Sequence, residues 1–328
     1  MRFRTRDGIV RAVSELSFSL RRGETLGVVG ESGSGKSVTS LAIMGLLNRA
    51  TTDIDGEILF EGTDLLRLSP SELRKIRGKD IAMVFQDPFA SLHPMYRVGA
   101  QLAEAVRAHS DVSKSAAWDR AVELLSAVGI PNAKGRARDY PHQFSGGMRQ
   151  RAMIAMALVH NPDVLIADEP TTALDVTVQA QIVELIDRVK REFDIGVILI
   201  THDLGVIAET ATHVMVMYGG RSMEYGPAHE VFNAAQHPYT WGLLESMPTV
   251  EKRLDALVPI EGSPPSLLHP PSGCPFHPRC KYRFEPCDKK VPPFVPIPGG
   301  HPDACLLPAE RKREVWATQI SRELGVVP

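Results

Sequence analysis

A chain of 328 residues with a formal charge of −2 can bury a full core and exceeds what a small disulfide-stapled scaffold requires. Apolar and charged fractions of 43% and 23% exclude wholesale disorder and fibrous repeats. The near-neutral balance supplies no global field that would gather nucleic acid or an anionic membrane surface.

Arg2, Arg4 and Arg6 form the one locally basic stretch and read as a solvated strand end. Residues 1–10 lack the apolar region of a signal peptide, so a cytosolic chain with reduced thiols is expected. The longest apolar runs, 196–200 and 214–217, fall far short of the roughly 20 residues that cross a bilayer. Any membrane role then runs through a partner.

Short β-branched or apolar runs at 25–29, 81–85, 164–167, 197–200 and 214–217 alternate with longer helical patterns, the rhythm of an α/β sheet. The first run ends at Gly30 and leads to 37–47, where Val38, Leu41, Ile43, Met44 and Leu47 recur at helical spacing. Between them, Gly30-Glu31-Ser32-Gly33-Ser34-Gly35-Lys36-Ser37 fits G-x-x-x-x-G-K-[ST] in the strand, loop, helix setting that the motif needs. Glycines let successive N–H groups turn inward on phosphates, and the helix N-terminus adds a favourable dipole. Lys36 would neutralise the β and γ phosphates and the Ser37 hydroxyl would hold Mg²⁺.

Between 87 and 163 no strand pattern occurs, while 98–108 and 116–128 carry apolar residues at i, i+3, i+4 intervals. An inserted helical subdomain at about 87–162 is the reading. Ser145 would cap a helix starting near Gly146, making a second anion site from its hydroxyl, the glycine amides and the helix dipole. At 164–168 an apolar strand delivers Asp168 and Glu169 at its C-terminal end, where open parallel sheets bind ligands. Asp168 would coordinate Mg²⁺ and Glu169 would polarise an attacking water as general base.

Beyond 231 the composition changes. Residues 261–308 hold 13 of the 25 prolines and all four cysteines, which excludes regular helices and central strands there because proline removes backbone donors. Four clustered thiols (Cys274, Cys280, Cys287 and Cys305) in a reducing compartment favour a soft metal over disulfides, and a loop-rich segment gains most from such a staple. Gaps of five, six and seventeen residues do not match the paired C-x-x-C of ordinary zinc sites. His277 reads as a loop histidine bonded to backbone, with replacement of a thiolate as the alternative.

A phosphate loop followed by two acids suits a kinase or a GTPase equally. Phe144-Ser145-Gly146-Gly147-Met148-Arg149-Gln150 separates them, because it resembles the signature motif of ABC ATPases, placed shortly before the acidic strand as that family places it. Gln86 matches the family's Q-loop, Ala173-Leu174-Asp175 its D-loop, and His202 its switch histidine. The resemblance covers 30–202. It implies an α/β P-loop NTPase core of ABC type with an inserted α-helical subdomain and a C-terminal proline-rich, cysteine-containing extension. The ATPase domain would be 1–230 and the extension 231–328, with the cysteine segment at 261–308.

By that resemblance, ATP is sandwiched between one subunit's loop (Gly30, Glu31, Ser32, Gly33, Ser34, Gly35, Lys36, Ser37 and Val38) and the other's Ser145, Gly146 and Gly147, with Asp175 nearby. Gln86 joins Ser37 and Asp168 around Mg²⁺; Glu169, His202 and Gln86 serve the hydrolysis. Phe3 is the candidate for stacking adenine, although the family normally has a complete strand before that aromatic. The signature carries Met148 where glutamine is common, a variant familiar in peptide-importer ATPases.

The extension, together with His237-Pro238-Tyr239-Thr240, resembles that of oligopeptide and dipeptide importer ATPases. This implies a motor on the cytoplasmic face of the membrane that works with a paralogous ATPase as dimer partner, two transmembrane permease subunits and, indirectly, an extracytoplasmic substrate-binding protein. In those relatives four such cysteines can hold an iron–sulfur cluster, so a [4Fe-4S] cluster is expected here, with Zn²⁺ as the alternative. Another function class, an ABC ATPase acting on nucleic acid with a zinc module, is opposed by the charge balance and the lack of a basic stripe or coiled-coil heptads. An exporter motor is opposed by the lack of a fused membrane segment and by the importer-like extension.

Overall fold

The computed structural model describes residues 1–87, 91–172, 174–247, 259–295 and 300–321. Among them the strands are β1 (Arg2–Thr5), β2 (Gly8–Val10), β3 (Thr25–Val29), β4 (Thr52–Asp53), β5 (Leu59–Phe60), β6 (Thr63–Asp64), β7 (Ile81–Val84), β8 (Val164–Asp168), β9 (Gly196–Ile200), β10 (His213–Tyr218) and β11 (Arg221–Pro227). Six of them form the central sheet in the order β11-β10-β3-β9-β8-β7. All neighbours pair in parallel except β10 with β11.

The apolar runs in the sequence are these parallel strands, and they carry no polar face because both sides of the sheet are covered. Alternate side chains feed two cores. Leu165, Ala167, Val197, Leu199, Val214 and Val216 point into one. Ile166, Ile198, Ile200, Met215 and Met217 point into the other, with Met44 and Leu73. Each full burial of this kind contributes about 1.5–3 kcal/mol before entropy is set against it.

The expected helix at 37–47 is shorter, Lys36–Ile43. Gly45 ends it by taking a φ of 60°, the left-handed conformation that glycine adopts at least cost. Helical periodicity between β7 and β8 was legible: Val98–Ala108 is a helix, as is Lys114–Ala127, and Gly146–Ala157 follows. Val98, Leu102 and Val106 of the first helix and Ala117, Ala121, Leu124 and Leu125 of the second are buried in the shared core, at the i, i+3, i+4 spacing of an inward-facing stripe.

β1, β2 and β4 make a separate three-stranded antiparallel sheet. Its arginines are paired, Arg2 with Asp55 at 2.6 Å and Arg4 with Asp53 at 2.8 Å. Both pairs are exposed and contribute little. The described residues beyond 231 do not stand apart from the sheet. Tyr239, Trp241, Phe276 and Trp316 join the core that contains β8 and β9 residues. The Tyr225 N–H donates to Pro302 O and Ala304 N–H to Met223 O, so the extension covers the edge strand β11, which would otherwise offer unpaired backbone. A buried ion pair, Lys312 Nζ to Asp303 Oδ1 at 2.6 Å and Oδ2 at 2.7 Å, fastens the final helix, Ala309–Val315, beneath it.

Candidate functional site

The parallel strands β3, β7, β8 and β9 end on one edge of the sheet, and the chemistry-bearing residues follow their last positions. After β3 comes the loop 30–37. Gly30 has a φ of 146°, and a Cβ there would lie 2.1 Å from Met217 O. Gly35 has a φ of 101°, and its Cβ would lie 2.7 Å from Ala12 O. No side chain fits at either position, so the tight loop requires glycine.

Lys36 turns back over this loop. Its Nζ donates to Gly30 O at 2.6 Å and Glu31 O at 2.9 Å, with Ser34 Oγ at 3.5 Å. Burial pushes the Lys36 pKa down, while Glu169, Asp168 and Glu31 push it back. Ser37 Oγ donates to Asp168 Oδ1 at 3.1 Å. Asp168 is buried at the end of β8, opposite Ile200 in register. Burial raises its pKa, opposed by the Ser37 hydrogen bond and Lys36 and reinforced by Glu169.

Glu169 takes a left-handed φ of 47°, unusual for a residue with a side chain. Its N–H donates to Ile200 O at 2.9 Å, which ties the turn to β9. One oxygen, Oε2, accepts from Gln86 Nε2 at 3.0 Å and from Thr172 Oγ1 at 2.9 Å. His202 Nδ1 lies 3.7 Å from the same oxygen, with the His202 side chain 69% exposed. The sequence-predicted Lys36, Ser37, Gln86, Asp168, Glu169 and His202 are therefore brought together.

Ser145, Gly146 and Gly147 are not joined to them. Ser145 Oγ accepts from Met148 N–H at 3.3 Å, so it does cap the helix. No hydrogen bond or ion pair among the described residues links these three to the loop 30–37, and Ser145 and Gly146 are exposed. A Cβ on Gly147 would lie 2.7 Å from Val178 Cγ1, so that glycine lets the helix Val176–Phe193 approach. Asp175 caps this second helix through Val178 N–H at 3.0 Å and is exposed; Ala173, the first residue of the expected D-loop, lies outside the described residues. Phe3 is half-buried on β1, paired with Val10 and Thr52.

The four cysteines converge. All line one cavity of about 20 Å³, together with His237, Phe276 and His277, and none is disulfide-bonded. Burial pushes the thiols up, Cys274 to about 11 and Cys280 and Cys305 each to about 12. Among the described residues no three His, Cys, Asp or Glu side chains are set to hold a single metal ion. The His277 Nδ1 stands 2.9 Å from Cys274 O, the backbone bond expected of a loop histidine.

Sequence reasoning missed two features of this edge. Thr172 offers only its place three residues after Glu169 as a signal. Arg279 offers none: it lies 248 positions from Glu31, yet its Nη1 and Nη2 grip both Glu31 carboxylate oxygens at 2.6 and 3.0 Å.

A parallel sheet whose edge gathers a glycine-rich loop, a buried lysine and two strand-end acids defines a P-loop ATPase cassette. The chain matches the ABC transporter family over residues 13–172 and the family described as oligopeptide/dipeptide transporter, C-terminal region, over 223–287. It is 51% identical to the oligopeptide transport ATP-binding protein OppD of Haemophilus influenzae, over 95% of this chain and 96% of that one. It is 53% identical to the dipeptide transport ATP-binding protein DppD of Bacillus subtilis, covering 94% and 92%. Among solved structures, the dimeric post-hydrolysis state of the ATP-binding cassette MJ0796 bound to ADP and Pi superposes with a TM-score of 0.62 at 28% identity, covering 69% of this chain and 95% of that one. The chain belongs to the ATP-binding subunits of ABC transporters, in their oligopeptide/dipeptide branch. It is an ATPase subunit, and among its described residues no helix is long and apolar enough to cross a membrane.

Proposed function

We propose that this ATPase drives uptake of oligopeptides or dipeptides through separate membrane permeases, docked at the cytoplasmic face. It would work in a head-to-tail dimer with a paralogous ATPase, the substrate reaching the permeases from an extracytoplasmic receptor. Residues 1–230 would act as the motor and 231–328 as its extension. The peptide relatives over nearly the whole chain support this reading over the nucleic-acid alternative.

One observation carries the catalytic assignment: the sheet edge sets a cation, Lys36 folded over the glycine loop, beside an oxygen-donor pair, Ser37 Oγ bonded to Asp168 Oδ1 at 3.1 Å, and burial disfavours the charged forms of both Lys36 and Asp168. Such a site is relieved by ligands of both signs, a polyphosphate for the lysine and a divalent cation for the acid. Ser37 and Asp168, in hydrogen-bond contact with each other, offer the oxygen donors that Mg²⁺ takes, and Gln86 would add a third. When bound, Mg²⁺ supplies neutralisation of phosphate charge. Glu169 takes the proton of the attacking water, held by Gln86 and Thr172, while His202 stands where it can reach the same carboxylate. Gly30, Glu31, Ser32, Gly33, Ser34, Gly35 and Val38 frame the phosphates with Lys36, and Phe3 stacks on adenine. Ser145, Gly146 and Gly147 serve the partner's nucleotide, with Asp175 beside them, which accords with the exposure of Ser145 and Gly146 and with the lack of bonds from the three to their own loop among the described residues.

The cysteines are proposed to hold a [4Fe-4S] cluster. Four thiols around one cavity fit a soft metal, and the raised thiol pKa values mark a site that needs positive charge to hold thiolates. Zinc is the alternative, and stoichiometric zinc without sulfide would mark it. Stoichiometric iron and sulfide in anaerobically purified protein is the expected result; their absence overturns the cluster. For transport, the subunit purified with its permeases should hydrolyse ATP faster when a peptide-loaded receptor is added. Stimulation by a loaded nickel or sugar receptor instead would reassign the substrate.

A further inference from the structure

Arg279 sits in the turn between Cys274 and Cys280, outside the motifs that bear on nucleotide. Its guanidinium has five N–H donors, and all five are engaged. Nη1 donates to Glu31 Oε2 at 2.6 Å and Tyr218 Oη at 3.2 Å. Nη2 donates to Glu31 Oε1 at 3.0 Å and Ile260 O at 3.0 Å, and Nε to Glu261 O at 2.8 Å. The side chain is 5% exposed. Its backbone is set by the cysteine turn: Arg279 N–H donates to Phe276 O and Cys280 N–H to His277 O.

Glu31, its partner, is the second residue of the phosphate loop. The carbonyl of Glu31 accepts from Lys36 Nζ, and its N–H donates to Tyr239 Oη at 2.9 Å. The carboxylate is also among the charges that act on Lys36. A carboxylate on this loop opposes any polyphosphate bound there, unless a cation offsets it and holds it to one side. A bidentate, fully bonded arginine does both.

We propose that Arg279 is a positioning residue for ATP binding: it neutralises and draws aside the Glu31 carboxylate, so that the cysteine-bearing turn fixes the shape and charge of the phosphate loop. This rests on the phosphate reading of residues 30–37 given above. The link is direct, since the same turn that lines the cysteine cavity ends in the arginine that grips the loop.

The test uses the full chain and calorimetric titration with the magnesium salt of a non-hydrolysable ATP analogue. Arg279→Gln should raise Kd about tenfold, the order expected when one unit charge near the phosphates loses its counter-charge at an effective dielectric near 20. Adding Glu31→Gln to it should restore affinity to within about threefold of wild type, because the repelling charge is then gone. A merely structural arginine gives no such rescue. If Arg279→Gln does not yield folded protein, Arg279→Lys, which keeps the charge and loses the fork, should raise Kd about threefold and be rescued in the same way. A wild-type Kd in Arg279→Gln overturns the proposal, as does a double variant that binds no tighter than the single. Lys36→Ala separates the two levels: if it binds the analogue as tightly as wild type, the phosphate reading itself fails, whereas strong loss there beside a silent Arg279→Gln removes only Arg279.

Discussion

The two surfaces assigned to a nucleotide differ in how far the chain completes them. On the loop side, Lys36 is bonded to the Gly30 and Glu31 carbonyls at 2.6 and 2.9 Å, Ser37 to Asp168 at 3.1 Å and Gln86 to Glu169 at 3.0 Å. On the signature side, Ser145 caps its helix and then faces outward, bonded to nothing on the loop. The first surface is organised by its own bonds; the second is a helix terminus with amide donors and, among the described residues, no bond to the loop. On the assignment proposed above, a site divided in this way would tie chemistry to association, because nucleotide would complete its contacts only when a second subunit supplied the missing helix end.

That comparison is tested hardest where the loop side is altered. Glu169→Gln keeps the shape and removes the base, so steady-state ATP hydrolysis should fall about a thousandfold while nucleotide binding persists. Size-exclusion chromatography with ATP should then show a trapped dimer; wild-type turnover would remove Glu169 from the chemistry. Lys36→Ala acts on binding instead. It removes a buried cation whose bonds shape the loop, and Kd for ATP should rise about a hundredfold, as for truncation of a buried charged partner.

How much of this was legible follows from distance along the chain. Each residue of the loop side sits directly after an apolar run, so the run announces the strand and the next residues announce the site. Val98–Ala108 was readable to its ends because its buried stripe repeats at helical spacing. The shortest strands outside the central sheet were not: β4, β5 and β6 are two residues each, too short to carry a period. Nor was the packing of the extension, because prolines and cysteines specify no register. Arg279 was invisible for the same reason, since nothing local in Pro278-Arg279-Cys280 points to a loop at the other end of the chain. Proline density marked an extension without regular elements but not its place, and Tyr239, Phe276 and Trp316 lie in the main core.

The signature side supplies a sharper, smaller test. Ser145→Ala removes both a cap and a proposed phosphate donor, and ATPase activity of the assembled dimer should drop about tenfold, the worth of one hydrogen bond to a charged group. Losing the cap alone costs about 1 kcal/mol of stability, so a second substitution is needed to separate the roles. Ser145→Asp keeps the cap and adds a negative charge. It should melt at or above the Ser145→Ala temperature yet hydrolyse ATP more slowly than that variant. If activity instead follows melting temperature through both variants, the outward-facing serine is a cap and nothing more.

The smallest expected effect lies inside the organised surface. Glu169 occupies a left-handed φ of 47°, a conformation that costs a non-glycine residue on the order of 1–2 kcal/mol. Two bonds of the turn oppose that cost: Glu169 N–H to Ile200 O, and Thr172 N–H to Glu169 O at 3.2 Å. Thr172 Oγ1 adds a third contact, to the carboxylate oxygen that Gln86 also contacts. Removing this hydroxyl leaves the base in place but freer to rotate, so Thr172→Ala should lower kcat about fivefold with KM for ATP unchanged, the scale of one hydrogen bond. Thr172→Ser keeps the hydroxyl and should recover most of the rate. A rise in KM in place of the fall in kcat would mean that the threonine shapes nucleotide binding, and that the loop side is less complete before ligand arrives than its hydrogen bonds indicate.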